Sequence, residues 1–211
     1  VWNVTISAFL RTLGFTQSRE DPGLYIRPDI TLALYVDDML LFSSSLEAIN
    51  SVKKALSREY KMTDLGEARR FLGMDIKVVR RTSNSPTTIT VSQERYIVDI
   101  LNRFGQHNCK GSSTPMVPHQ RLEPTPDGFL QTAGNVREYQ QMLGCIMYAM
   151  TCTRPDLAFT VSHLSQFSAN PTWEHMKAMR HAYQYLQETK AIGLSYSGIM
   201  PGEDLEKYKL H

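Results

Sequence analysis

The stretch Leu32-Ala33-Leu34-Tyr35-Val36-Asp37-Asp38-Met39-Leu40-Leu41-Phe42 constrains the fold more than any other. Two adjacent carboxylates interrupt an otherwise apolar run. As one buried strand, the run would desolvate two charges without partners, at a cost of several kcal/mol. A hairpin removes the conflict. It places Asp37 and Asp38 at an exposed tip, with Leu32-Ala33-Leu34 running in and Met39-Leu40-Leu41-Phe42 running out as buried strands. An ordinary polar turn has the same signature, but the tyrosine before the pair and the hydrophobic density on both sides favour a site.

The neighbouring segments supply partners for such a hairpin. Trp2, Ile6, Phe9, Leu10 and Leu13 share a helical face, and Gly14 stops that helix. Residues 17–23 read as a polar turn through Asp21-Pro22-Gly23, followed by a short strand Leu24-Tyr25-Ile26. Ser44 with Glu47 has the spacing of a capping box, opening a helix along Leu46, Ile49, Val52, Leu56 and Tyr60. Met74-Asp75-Ile76-Lys77-Val78 alternates as a strand does, with Gly73 read as a bulge or a close backbone approach. A polar turn over 80–87 leads to a returning strand Thr88-Ile89-Thr90-Val91, and Ser92 is placed to cap the next helix, which Gly105 ends. The Pro- and Gly-rich residues 105–134 form a long irregular connection and the best internal boundary. Beyond it the chain reads as three helices, the middle one opened by Pro155, and a final strand Gly193-Leu194-Ser195-Tyr196-Ser197. The expected class is α+β: antiparallel hairpins with a docked helix, then a mostly helical region.

Composition excludes some functions. No run approaches the 18 apolar residues of a membrane span, and the first residues lack a secretory signal pattern. Cys109, Cys145 and Cys152 form neither a disulfide framework nor a metal motif, and Cys145 and Cys152, seven apart on one helical face, read as reduced core residues. His175 and His181 fall about 240° apart around a helix, too far to grip one ion. The net charge of +2 is unevenly spread, with nine basic against five acidic residues in 46–81. Lys53, Lys54, Arg58, Lys61, Arg69 and Arg70 therefore read either as a phosphate-facing strip or as a solvated face.

Taken in order, these motifs resemble the reverse transcriptase of copia-type long-terminal-repeat retrotransposons. Tyr35-Val36-Asp37-Asp38 is similar to the polymerase's Tyr-x-Asp-Asp box. Met62-Thr63-Asp64-Leu65-Gly66-Glu67 followed by Phe71-Leu72-Gly73-Met74 resembles that group's "DLGE…FLG" segment. Ser92-Gln93-Glu94-Arg95-Tyr96 resembles its thumb helix. Ser113-Thr114-Pro115-Met116, Tyr139-Gln140-Gln141-Met142-Leu143-Gly144, Thr153-Arg154-Pro155-Asp156-Leu157-Ala158 and Asn170-Pro171-Thr172 resemble its connection segment. The series covers Trp2 to about Tyr196.

The resemblance implies a partial polymerase palm over 1–91, a thumb-like helix and connection over 92–134, and a helical connection region over 135–211. It implies that Asp37 and Asp38 are the catalytic, metal-binding pair for Mg²⁺ or Mn²⁺, completed by an upstream aspartate. Tyr35 and Val36 would line the nucleotide and primer site, and Phe71, Leu72, Gly73 and Met74 would form the primer grip. The implied partners are an RNA/DNA template-primer, a deoxynucleoside triphosphate, and the fingers and RNase H portions of the Pol polyprotein, with no membrane. The implied setting is intracellular, a cytoplasmic virus-like particle or the nucleus, rather than secreted. The residues given are expected to be a palm-thumb-connection fragment that does not extend a primer alone. A degenerate remnant, a non-catalytic nucleic-acid-binding module and a non-polymerase metal site at Asp37/Asp38 are the alternatives.

Overall fold

The computed structural model describes residues 2–80, 87–126 and 131–198. They form two compact units, residues 1–71 and 72–211. The first contains α1 (Trp2–Thr12), β1 (Thr16–Gln17), β2 (Leu24–Arg27), β3 (Ile30–Tyr35), β4 (Asp38–Phe42), α2 (Leu46–Glu59) and the short β5 (Arg70–Phe71).

Its sheet is an antiparallel meander in the order β1-β2-β3-β4. Tyr25 opposes Leu32, and Leu32 opposes Leu41, so these side chains stand on one face. Tyr25, Ile30 and Leu32 join Ile6 and Leu10 of α1 and Val52 and Leu56 of α2 in a single core. The apolar spacing of both helices thus finds the sheet face that the hairpin reading requires. The strands around the acidic pair are less buried than the sequence suggests. In β3 only Ile30 and Leu32 are fully buried, and no residue of β4 is. An antiparallel sheet needs only one packed face, so the residues between remain half-buried.

Local signals were displaced in several places. Thr16–Gln17 is a strand pairing with Tyr25 and Ile26, although its residues read as loop. The helix cap is Ser45, whose side chain accepts from the Ala48 backbone N–H, rather than Ser44. Ser43 binds that cap in turn, accepting from Ser45 N–H at 2.9 Å and donating to the Asp29 carbonyl at 2.6 Å.

The second unit contains β6 (Met74–Val79), β7 (Thr88–Ser92), α3 (Glu94–Arg103), α4 (Ala133–Cys152), a 3₁₀ turn (Pro155–Leu157), α5 (Ala158–Ser165), α6 (Trp173–Glu188) and β8 (Gly193–Ser197). β7 pairs antiparallel with both β6 and β8. Ser92 is the last residue of β7, opposite Gly193, and Gln93 occupies the cap position with no side-chain cap bond. Gly193 is required at this crossing, because a Cβ there would collide with the Val91 carbonyl and with Ser92. α3, α4, α5 and α6 share one core that includes Ile97, Tyr139, Ile146, Leu157, Met179 and Tyr183. The three cysteines are unpaired and half-buried. Residues 105–134, the boundary expected from composition, fall inside this unit. Most of the polar turn over 80–87 lies outside the described residues. No described helix is long and apolar enough to cross a membrane.

Candidate active site

The acidic pair lies where a hairpin puts it, with one refinement. Tyr35 and Asp38 are opposed, closing a two-residue turn made of Val36 and Asp37. Asp37 is therefore the turn residue and Asp38 the first residue of β4. Both are exposed, as are Tyr35 and Val36. Among the described residues neither carboxylate side chain has a hydrogen-bond or ion-pair partner.

Two other carboxylates of the first unit, Asp29 and Asp64, are engaged. Asp29 takes a two-pronged contact from Arg27, with Nε at 2.6 Å and Nη2 at 2.9 Å. Asp64 accepts from Lys53 Nζ at 2.8 Å and from the Gly66 backbone N–H. These contacts, led by the side-chain bond from the cation in each case, hold both carboxyls below the usual carboxylate range. The Lys53 contact also removes one member of the basic strip as a free charge. Lys54, Arg58, Lys61 and Arg69 are exposed.

The turn has an unusual backbone. Val36 has a φ of 55° and Asp37 is not among the positive-φ residues. A positive φ at only the first central position is the sign pattern of a type II′ hairpin turn, which ordinarily carries Gly there. For a β-branched residue this conformation costs about 1–2 kcal/mol. The carbonyl of the same residue is held from outside the hairpin, since Trp2 Nε1 donates to the Val36 carbonyl at 2.6 Å. Trp2 is itself seated edge-on against Tyr60, at 5.3 Å between ring centroids, and Phe9 meets Tyr60 in the same way. The sequence reading placed Trp2 only on a buried helix face. No local pattern links it to a turn 34 residues away.

The Phe71-Leu72-Gly73-Met74 segment is a second tight turn. Leu72 and Gly73 have φ of 48° and 75°, the pattern of a type I′ turn, so Gly73 is a turn residue and not an in-strand bulge. In the second unit, Tyr148 Oη donates to the Leu72 carbonyl at 2.8 Å. A Cβ on Gly73 would lie 3.4 Å from that same hydroxyl. Tyr148 is braced edge-on by Tyr96, whose hydroxyl donates to the Cys145 carbonyl.

Comparison with known proteins gives the family of the chain. Residues 1–118 match the family model described as reverse transcriptase (RNA-dependent DNA polymerase). The chain belongs to that reverse transcriptase family. It is 36% identical over 95% of its length to the retrovirus-related Pol polyprotein from transposon TNT 1-94 of Nicotiana tabacum, of which it spans 15%. It is 32% identical over 92% of its length to the Pol polyprotein from transposon RE1 of Arabidopsis thaliana, spanning 13% of that protein. A putative transposon Ty5-1 protein of Saccharomyces cerevisiae is 31% identical over 93% of the chain, which spans 62% of it. No solved structure matches.

Two adjacent carboxylates without partners among the described residues, on a short hairpin tip, are suitable hard oxygen donors for Mg²⁺ or Mn²⁺. No group of three His, Cys, Asp or Glu side chains able to hold a metal occurs among the described residues.

Proposed function

We propose that this chain supplies the acidic turn and the primer-grip turn of an RNA-directed DNA polymerase within a copia-type Pol polyprotein. The observation that carries this reading is the Tyr35–Asp38 hairpin, which presents two exposed carboxylates, unpartnered among the described residues, on a backbone held by Trp2. In this reading Asp37 and Asp38 hold the divalent ions, with a further carboxylate contributed from elsewhere in the polyprotein. The ions supply activation of the primer hydroxyl and stabilisation of the leaving pyrophosphate. Tyr35 and Val36, both exposed beside the pair, border the nucleotide and primer end. Phe71, Leu72, Gly73 and Met74 set the primer strand, their turn kept in shape by the tyrosine bond to Leu72. The regions 1–91, 92–134 and 135–211 then correspond to palm, thumb-like helix with connection, and helical connection.

Primer extension tests the reading. With a primed RNA template, a deoxynucleoside triphosphate mixture and Mg²⁺, the 211-residue chain alone is expected to add nothing. The same residues within a longer polyprotein segment are expected to extend the primer, and Asp38→Ala is expected to abolish this. Extension that survives Asp38→Ala in the longer segment refutes the assignment.

A further inference from the structure

The Trp2 contact engages one particular peptide. Type I′ and type II′ turns differ in the orientation of the central peptide, here Val36–Asp37. The first needs positive φ at both central residues and the second only at the first. The carbonyl of that peptide belongs to Val36, and it accepts the indole proton at 2.6 Å. Fixing this carbonyl fixes the Asp37 N–H on the other side of the same rigid plane, and with it the backbone from which the Asp37 side chain departs. Val36 is two-thirds exposed and cannot hold the plane by packing. Tyr60 holds the indole edge-on, so the donor itself has a fixed seat. The Leu72 turn repeats the arrangement independently: its first central residue also has positive φ, and its carbonyl also receives an aromatic side-chain proton.

We infer that Trp2 is a positioning residue for the acidic pair, its indole N–H locking the Val36–Asp37 peptide so that Asp37 and Asp38 are presented together to a divalent ion. The positional part rests on the geometry alone, and the metal part rests on the polymerase reading above.

The test uses the ¹⁵N-labelled full chain, observed by NMR. In the unmodified protein the Trp2 indole proton is expected to exchange with solvent at least about tenfold more slowly than that of Trp173, which is 62% exposed and lacks a hydrogen-bond acceptor among the described residues. Trp2→Phe keeps an aromatic edge for Tyr60 and removes the donor. It is expected to speed exchange of the Asp38 amide, which closes the hairpin opposite Tyr35, about tenfold while leaving that of Leu32 in the core unchanged. Mn²⁺ added in titration is expected to broaden the Asp37 and Asp38 signals at concentrations several-fold higher in Trp2→Phe than in the unmodified chain. A rapidly exchanging Trp2 indole, read without any variant, overturns the inference. So does unchanged turn exchange in Trp2→Phe. If Mn²⁺ broadens nothing at the turn of the unmodified chain, the metal reading fails, while loosening by Trp2→Phe still supports the positional role.

Discussion

Val36 shows how a single residue records a demand of the surrounding structure. Valine is among the poorest choices for positive φ, because its branched Cβ crowds the backbone in the left-handed region. Its side chain is 66% exposed, so little packing offsets that strain. Val36→Asn, which tolerates the conformation without the added unfolded-chain freedom of glycine, is expected to stabilise the first unit by about 1 kcal/mol. That corresponds to a rise of about 4–8 °C in its unfolding midpoint, measurable by calorimetry. A fall in the midpoint would show that Val36 makes a contact worth more than its strain. Leu72 presents the same problem, but it is half-buried and its carbonyl is bound by Tyr148. Tyr148→Phe is expected to cost about 0.5–1.5 kcal/mol in denaturant unfolding, the worth of one hydrogen bond. It is also expected to increase exchange at the Gly73 amide.

At the scale of elements, the segment Thr153-Arg154-Pro155-Asp156-Leu157-Ala158 shows what a family motif can do structurally. Arg154 is fully buried. Its Nε and Nη2 donate to Asp156 at 3.0 and 2.7 Å, Nη1 donates to the Thr189 carbonyl at 3.0 Å, and Nη2 also donates to Thr189 Oγ1 at 2.7 Å. The guanidinium lies 5.3 Å from the Tyr185 ring centre, and Tyr185 Oη donates to Asp156 at 2.7 Å. One cation therefore ties the 3₁₀ turn to the C-terminal cap of α6 and satisfies the Thr189 carbonyl, one of those a helix end leaves open. Burial pushes the Asp156 carboxyl up, but the Arg154 and then the Tyr185 bonds outweigh it, and the net shift is downward. Asp156→Ala leaves a buried guanidinium without its counter-charge. It is expected to destabilise the second unit by about 3 kcal/mol, at the low end for a broken buried pair because Asp156 is partly exposed. A loss below about 1 kcal/mol in urea unfolding would show that the two Thr189 contacts suffice.

Across the second unit, His175 couples the long connection to the helical core. It is buried, its Nδ1 accepts from the Thr172 backbone N–H at 2.9 Å, and its Nε2 faces the Glu123 carbonyl at 2.9 Å. Nδ1 must then be bare and Nε2 protonated, a neutral tautomer stacked on Phe167 with ring centres 3.8 Å apart. Burial is the largest influence and lowers its pKa, aided by His163, while the Glu123 carbonyl and Glu174 act in the opposite sense. Because the folded value lies below the unfolded one, the unfolded chain binds more protons. The His175 contribution is complete above pH about 6.5 and is lost as pH falls through the lower folded value. Asp156, also depressed, adds a second loss in stronger acid. Urea midpoints of the unmodified chain are expected to fall between pH 7 and 5, and His175→Gln is expected to flatten that slope. An unchanged slope in the variant would remove His175 as its source.

Much of this protein was legible without coordinates. The apolar run broken by two carboxylates required a hairpin, and helical periodicity located α1, α2, α3 and the later helices because it reports a face that must be buried. The ordered motifs identified the family. Boundaries were less legible: Ser45 displaced Ser44, Ser92 remained in its strand, and Thr16–Gln17 became a strand only because Tyr25 and Ile26 offered an edge. Tertiary structure alone decided what holds the two turns and the buried cation. Trp2 reaches Val36 across 34 residues, Tyr148 reaches Leu72 across 76, and Arg154 reaches Thr189 across 35. Sequence periodicity encodes which face of an element is apolar, whereas a single donor meeting a single distant carbonyl leaves no periodic trace.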